Sequence, residues 1–456
     1  MAAMLEAREL NLTLDFCLRV GELLLSSGAG AADVTATMQA LAWQYGVRNP
    51  EVDVTFTSLS MSFQPAPEEP SVVLIRQVKQ RDIDYEDLTL VDHLVREVLR
   101  GEVELKDART RLARIVSSGH IRPRWAATLG WGVMAAGVGL QLGGNAAVVV
   151  IAAVAAIGID RLQLVMGRRR IPFFYRQIAG GGLATLIAVA AAASWLDLDP
   201  SLVVTANLIM LLAGIGFMGA LQDALTGFYV TAGARLTEAL LATAGIIAGV
   251  SGGLTVADLA GVSVDRIDVG TSTLKDVTVM AVGAAICAAA FAFASYAPRR
   301  TLLPIGLVAA VAMVISQTVR IGGVGSTWST ALAAFFVGLV SYTVAGRLRV
   351  PPLVVVVSAV VPMLPGLSIY RGLSLLGEGA GYTSEGLLAI ITAASIAIAL
   401  SSGVILGEYV AQPLKREAHR LESRLAGPRL VGPLKVRSRE SSRRVRRRSS
   451  DPAARD

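Results

Sequence analysis

Apolar runs dominate the middle of this chain. Between residues 125 and 410, long stretches of Ala, Val, Leu, Ile and Gly are broken only by short polar connections. A bilayer core about 30 Å thick takes about 20 helical residues to cross, and unpaired backbone groups in hydrocarbon cost several kcal/mol each. The runs therefore predict ten spans, over 125–142, 145–159, 173–196, 202–222, 234–255, 277–297, 302–319, 326–345, 351–371 and 385–410. The first 124 residues follow another pattern. Apolar positions recur at helical spacing through LTLDFCLRVGELLL (12–25), SSGAGAAD (26–33) supplies a stop and a fresh start, and VDVTFTSLSMSF (52–63) and SVVLIRQV (71–78) read as a hairpin around QPAPEEP. Two amphipathic stretches, 88–101 and 104–118, follow. The expected order is ααββαα, a small α/β domain over 1–124 fused to a polytopic α-helical membrane protein.

Charge divides the chain in the same way. Residues 125–410 carry 26 charged side chains in 286 positions, about 9%, whereas the two flanks carry the other 51 in 170, about 30%. One soluble globular domain is excluded. The formal charge of +7 does not point to nucleic acid, because the last 46 residues hold 14 Lys+Arg against 5 Asp+Glu, or +9, leaving −2 for everything else. That tail, 411–456, reads as disordered, with anionic lipid as its expected partner. Two cysteines, Cys17 and Cys287, imply no disulfide framework. The N-terminus lacks the unbroken apolar core of a secretory signal. With the N-terminal flank inside, the inner loops hold eight arginines (161, 168, 169, 170, 299, 300, 347 and 349) against Arg266, Lys275, Arg320 and Arg371 outside, so both termini are expected in the cytosol.

A weak internal echo organises the spans. At an offset of 152, VVTANLIMLLAGIGFMGAL (203–221) lies over VVVSAVVPMLPGLSIYRGL (355–373), with five identities in nineteen positions and Gly214 over Gly366. With a shorter connecting loop, TEALLATAGIIAGVSGG (237–253) lies near SEGLLAIITAASIAIALSSG (384–403), bringing Glu238 opposite Glu385. Domain boundaries follow at 125–275 and 276–410. Five is odd, so a second copy enters from the opposite face, which gives 5+5 inverted repeats sharing a midplane site. The soluble flank supplies no convincing chemistry of its own. It lacks a phosphate-cradling glycine loop and metal-ligand spacing, His93 and His120 are read as solvated or structural, and Ser26-Ser27-Gly28 is helix-stop chemistry before it is a nucleophile.

Together these segments resemble a known family. The LLLSSGAGAADVTATMQALAWQYG segment with its hairpin, VREVLRGEVELKDARTRLARI, LQDALTGFYVTAGARLTEALL and PMLPGL are similar to the threonine/serine exporters of bacteria, over nearly the whole chain except the basic tail. The resemblance implies a cytosolic N-terminal domain, ten inner-membrane spans, and export of small amino acids dependent on the proton-motive force, with no enzyme activity, cofactor or metal. A homo-oligomer is compatible with it. One departure is that the first half has Ala213-Gly214 where the second has Pro365-Gly366.

On that reading, Pro362 and Pro365 remove amide donors and Gly366 loosens the backbone, leaving carbonyls free in mid-span. A packing kink is the alternative. Asn207, Gly214, Gln317, Ser368 and Tyr370 complete the candidate substrate site, since a zwitterion needs donors, acceptors and a polar spot for its hydroxyl. Asp223, Arg235 and Glu238 form the densest group of charges near the inner ends of spans four and five, and are read as a proton carrier with a tuning arginine or as a structural ion pair. Glu385 and Glu408 are secondary candidates. One proton entering per exported amino acid contributes about 2.3 kcal/mol per 100 mV. The competing readings are a dicarboxylate exporter, which should want more positive charge at the midplane than Arg176, Arg235 and Arg371 supply, and a hydrolase or sensor working through the N-terminal domain.

Overall fold

The computed structural model describes residues 2–78, 83–194, 198–211, 214–259, 276–377 and 380–422. The basic tail beyond residue 422, Ala213, Arg266 and Lys275 lie outside them. The N-terminal unit runs α1 (Ala2–Ser26), α2 (Ala31–Gln44), β1 (Glu51–Val54), β2 (Ser58–Phe63), β3 (Val72–Gln77), α3 (Tyr85–Leu99) and α4 (Leu105–Ser117). Its sheet is antiparallel in the order β1-β2-β3. Phe16, Leu41, Leu59, Met61, Val91 and Leu94 bury the apolar faces of both helix pairs and the sheet in one core, each contributing about 1.5–3 kcal/mol.

The strand expected over 52–63 is two strands. The turn at Thr55–Ser58 has no Gly, Pro or Asn to mark it; instead Thr55 N–H donates to Ser58 O (2.9 Å) and Ser58 N–H donates to Thr55 Oγ1 (3.2 Å). A hydroxyl thus supplies turn chemistry inside an otherwise unbroken β pattern. The Ser26-Ser27-Gly28 stop is a helix terminus. Gly28 takes φ +94°, and Ser26 Oγ donates to Leu23 O at 3.0 Å.

Twelve further helices follow: α5 (Arg124–Gln141), α6 (Ala146–Arg168), α7 (Phe173–Ala192), α8 (Pro200–Leu211), α9 (Gly214–Leu225), α10 (Tyr229–Leu259), α11 (Val277–Ala294), α12 (Arg299–Ile321), α13 (Ser326–Leu348), α14 (Pro352–Val360), α15 (Gly366–Gly377) and α16 (Thr383–Glu422). Among the described residues, seven helices are long and apolar enough to cross a membrane, and up to nine spans result if α8 with α9 and α14 with α15 each count as one bent span. The run expected as the first span is α5. It carries Arg124 and Gln141 at its ends and is not one of the nine. The short run expected over 145–159 is a helix of 23 residues. It continues past Asp160 because that buried carboxylate is satisfied, taking bonds from Arg124 Nη2 (2.6 Å) and Thr128 Oγ1 (2.7 Å).

The helices pack as two groups with the same neighbours. In the first, α7 lies between α6 and α10 and α8 packs on α5, α6 and α7; in the second, α13 lies between α12 and α16 and α14 packs on α11, α12 and α13. Glycines fix the register of the closest seams. A Cβ at Gly245 would lie 2.9 Å from Phe174 O and one at Gly249 2.1 Å from Ile178 O; at Gly403 and Gly407 the distances are 2.5 Å to Ala331 O and 2.3 Å to Phe335 O. These positions correspond at offsets of 158 on the glycine side and 157 on the carbonyl side. Where α5 meets α11 the contact is reciprocal. A Cβ at Gly137 would lie 2.8 Å from Cys287 N, and one at Gly283 2.7 Å from Gln141 N.

That register corrects the sequence alignment of the last spans. At an offset of 158, Glu238 falls over Ile396 and not over Glu385. The similarity of TEALL to SEGLL is local; backbone contact, which only glycine allows, sets the pairing.

Candidate functional site

The two bent pairs occupy corresponding places. α8 and α9 meet at 44° and α14 and α15 at 46°, and Gly214 and Gly366 each open the second helix of a pair, 152 residues apart. In α14 the break is chemical. Pro362 lies in a 3-10 turn (Val361–Met363), Leu364 is extended at φ −62° and ψ 137°, and Pro365 and Gly366 are buried. The Pro362 carbonyl, left outside the helical ladder, accepts from Gln141 Nε2 at 3.1 Å.

Other expected residues gather around this break to differing degrees. Gln317 on α12 is buried and its Nε2 lies 3.5 Å from Met313 Sδ; Met313 packs with Met280 of α11 and Met363 of the break itself. Gln317 therefore stands one turn along α12 from the methionine that packs on the α14 break. Ser368 and Tyr370 follow the break on α15, Tyr370 buried. Asn207 sits on α8, which packs on α15. It is fully enclosed; its Nδ2 donates to Val203 O (2.9 Å), while its Oδ1 has no protein partner. Sequence reading missed Gln141 and Ser358. Gln141 has a buried Oε1 without a protein partner, and Ser358 lies one turn before Pro362 with a fully buried hydroxyl. A buried polar atom without a partner costs about 1–3 kcal/mol, so these atoms are places where a polar ligand would be favoured.

The charged group lies elsewhere. Asp223 Oδ1 accepts from Ala31 N–H (2.8 Å), Asp223 Oδ2 pairs with Arg235 Nε (3.2 Å), and Arg235 Nη2 donates to Ala29 O (3.0 Å). Gly219 makes the space, since a Cβ there would lie 2.6 Å from Arg235 Nη1. The pair thus clamps the loop between α1 and α2 to α9 and α10. Glu238 is not in the clamp; it lines a groove with Phe173, Phe174, Ala234, Thr237 and Leu241. Glu385 is exposed in the first turn of α16, and Glu408 is buried on the same helix.

His93 and His120 also sit on the seam between the domains. His93 Nε2 donates to Arg349 O at 2.9 Å. His120 lies 3.2 Å from Asp84 and 3.6 Å from Glu86 and stacks on Tyr296 with centroids 3.9 Å apart. Asp84, Asp87 and His120 each offer an atom within 4.8 Å of the others, a set that no sequence spacing announced. Burial, followed by the neighbouring Asp84 charge, raises the Asp87 carboxyl to about 6.

Comparison with known proteins decides the family. The model described as "Putative threonine/serine exporter" matches residues 15–257, and that described as "Threonine/Serine exporter, ThrE" matches residues 280–410. The chain belongs to the threonine/serine exporter family. It is 36% identical over 423 residues to the "Probable threonine/serine exporter" of Mycobacterium tuberculosis, covering 91% of this chain and 80% of that protein. It is 32% identical over 407 residues to the "Threonine/serine exporter" of Corynebacterium glutamicum, covering 87% and 82%. No solved structure matches. In this chain, the two family matches divide between α10 and α11, where the two packing groups also divide. The chain is a multi-pass membrane protein of a transport family.

Proposed function

We propose that this chain exports threonine, serine or similar small amino acids across the bacterial inner membrane, driven by the proton-motive force, with both termini in the cytosol. The observation that carries the reading is the pair of broken helices at matching positions in two groups of matching packing order, α5 to α10 and α11 to α16, each of six helices and of five spans when its bent pair counts as one. Counting α5 as a span gives ten, and an odd number per group makes the groups inverted relative to each other. Such a pair has two equivalent packings, open to either face, around a site where helices unwind.

The substrate sits between the breaks. Freed carbonyls near Pro362 and the Oδ1 of Asn207 and Oε1 of Gln141 accept from its ammonium and hydroxyl, the start of α15 at Gly366 faces its carboxylate, and Gln317, Ser368 and Tyr370 bound the pocket. Glu238, near the cytosolic end of α10, and Glu385, at the outer end of α16, are the carboxylates placed to exchange protons with water. Asp223 and Arg235 act on the cytosolic side through the contacts described above. Efflux of threonine and serine after dipeptide loading, compared between cells with and without the protein, tests the reading. Faster efflux with the protein, abolished by an uncoupler, is expected; equal accumulation and efflux in both would overturn it. Glu238→Gln is expected to lower proton flux coupled to threonine without lowering the amount of protein in the membrane.

A further inference from the structure

The N-terminal domain is attached to both groups of helices at once. To the first it is held by the Asp223–Arg235 clamp on Ala29 and Ala31 and by Thr231 Oγ1 donating to Val54 O at 2.8 Å. To the second it is held by Tyr85 N–H donating to Ser295 O (2.9 Å), by His93 on Arg349 O (2.9 Å), and by Leu24, Ala29 and Leu88 lining a small cavity against Pro351, Pro352 and Leu353. Two bodies strapped together at one face cannot separate at that face while every strap holds.

Tyr85 reaches furthest. It is the first residue of α3, is 1% exposed, and sets its ring edge-on to Phe291 of α11 with centroids 6.2 Å apart. Its hydroxyl lies toward Ser358 of α14, and both hydroxyls are buried without a hydrogen bond. Ser358 precedes Pro362 by four residues, about 6 Å along a helix. A side chain of the soluble domain therefore stands beside the broken helix, on the line from the domain to the break.

We propose that the N-terminal domain is the cytosolic gate of the transport path, and that Tyr85 is its gating residue, closing the approach to the α14 break through Ser358. The inference rests on the exporter reading for its direction of transport, but its test does not depend on substrate. Undocking of the domain, with Tyr85 withdrawn from Ser358, is a required step of each cycle.

The experiment uses the full chain in membranes, with Ser358→Cys as a reporter for a membrane-impermeant maleimide added from the side of the N-terminal domain. Cys17 and Cys287 are fully buried, and the parent protein measures their background. Tyr85→Ala is expected to speed labelling at position 358 at least tenfold, while Tyr85→Phe, which keeps the ring on Phe291, changes it less than threefold. Equal labelling rates in all three proteins would overturn the proposal. A second measurement does not require the Tyr85 variants to fold. A disulfide between Val54→Cys and Thr231→Cys should stop threonine and serine efflux until it is reduced; undiminished efflux with the disulfide formed would overturn the gate. Absence of efflux from the parent protein would count against the exporter reading alone, since the labelling result stands apart from it.

Discussion

The glycine seams make a quantitative test of the packing. A Cβ at Gly249 would lie 2.1 Å from Ile178 O and 2.9 Å from Gly182 N, both backbone atoms that no rotamer change can move. Restoring a tolerable contact needs α7 and α10 to part by about 1 Å, and a gap of 0.5–1 Å forfeits a quarter to a half of each dispersion contact along the seam. Overpacking of this kind typically costs 1–3 kcal/mol. Against it stands the helix-propensity gain of Gly to Ala, about 1 kcal/mol. Gly249→Ala should therefore destabilise by up to about 2 kcal/mol, whereas Gly252→Ala, three residues on with nothing within 4 Å, should stabilise by up to about 1 kcal/mol. Gly407→Ala, 2.3 Å from Phe335 O on the α13–α16 seam, should match Gly249→Ala. Thermal unfolding of the purified protein in detergent reads all three. Equal midpoints for Gly249→Ala and Gly252→Ala would refute the close approach of the helices, and a harmless Gly407→Ala beside a damaging Gly249→Ala would refute the equivalence of the seams.

Three further outcomes are expected. Asp223→Ala takes the paired carboxylate from the buried Arg235 guanidinium and should cost about 3–5 kcal/mol in thermal unfolding, whereas removing both charges with Asp223→Ala and Arg235→Met should cost less than the single change; an equal or larger cost would show that the two residues are not coupled. Asp87, with its carboxyl raised to about 6, is charged against its surroundings at neutral pH and neutral below that value. Its contribution to stability is thus fully present below the ordinary carboxyl value of 3.8 and lost as pH rises from there through about 6, so Asp87→Asn should raise the unfolding midpoint most at pH 7.5, less at pH 5 and least at pH 3.5; the same gap at all three values would refute the assignment. Gln141→Leu removes the bond to Pro362 O, and with one hydrogen bond contributing about 1 kcal/mol, the KM for threonine efflux should rise several-fold with the protein still inserted.

What the sequence disclosed and what it hid have physical causes. The apolar runs were readable because hydrocarbon tolerates few charges, yet the run at 145–159 closed too early at Asp160, whose partners Arg124 and Thr128 lie a helix away. The α14 break was written in Pro362 and Pro365. Its counterpart between α8 and α9 has no proline and was reachable only through the 152-residue echo that set Gly214 over Gly366. The turn at Thr55–Ser58 was invisible because a threonine hydroxyl makes it within an alternating pattern. The clamp was half legible: Asp223 and Arg235 stood out as charges in apolar spans, but their other partners are the backbone N–H of Ala31 and carbonyl of Ala29, and backbone partners leave no trace in side-chain identity. Gln141 and Ser358 were overlooked because a lone polar residue at a span end or inside a valine run gives no pattern to count.

The clamp is also where the two groups of helices stop being equivalent. At the 152-residue offset of the bent pairs, Asp223 corresponds to Leu375, and at the 158-residue offset of the glycine seams, Arg235 corresponds to Ala393, which is fully buried with Phe217, Ala239, Ile369 and Ala397. A proton relay shared by two inverted halves has reason to recur in both. A docking pair has reason to occur once, on the face where the domain sits. In the inverted-repeat reading proposed above the two packings are equal in energy, so whatever the domain gains by docking is added to one side alone. Each 1.4 kcal/mol of docking free energy biases the equilibrium tenfold toward closure at that face, and docking stronger than a few kcal/mol would hold the exporter shut. Variants that weaken the straps by about 1.4 kcal/mol should raise the fraction open at the domain's face about tenfold, seen as faster labelling at Ser358→Cys, with Thr231→Val a milder perturbation than Asp223→Ala. The reverse order would place the main strap elsewhere than the Asp223–Arg235 pair.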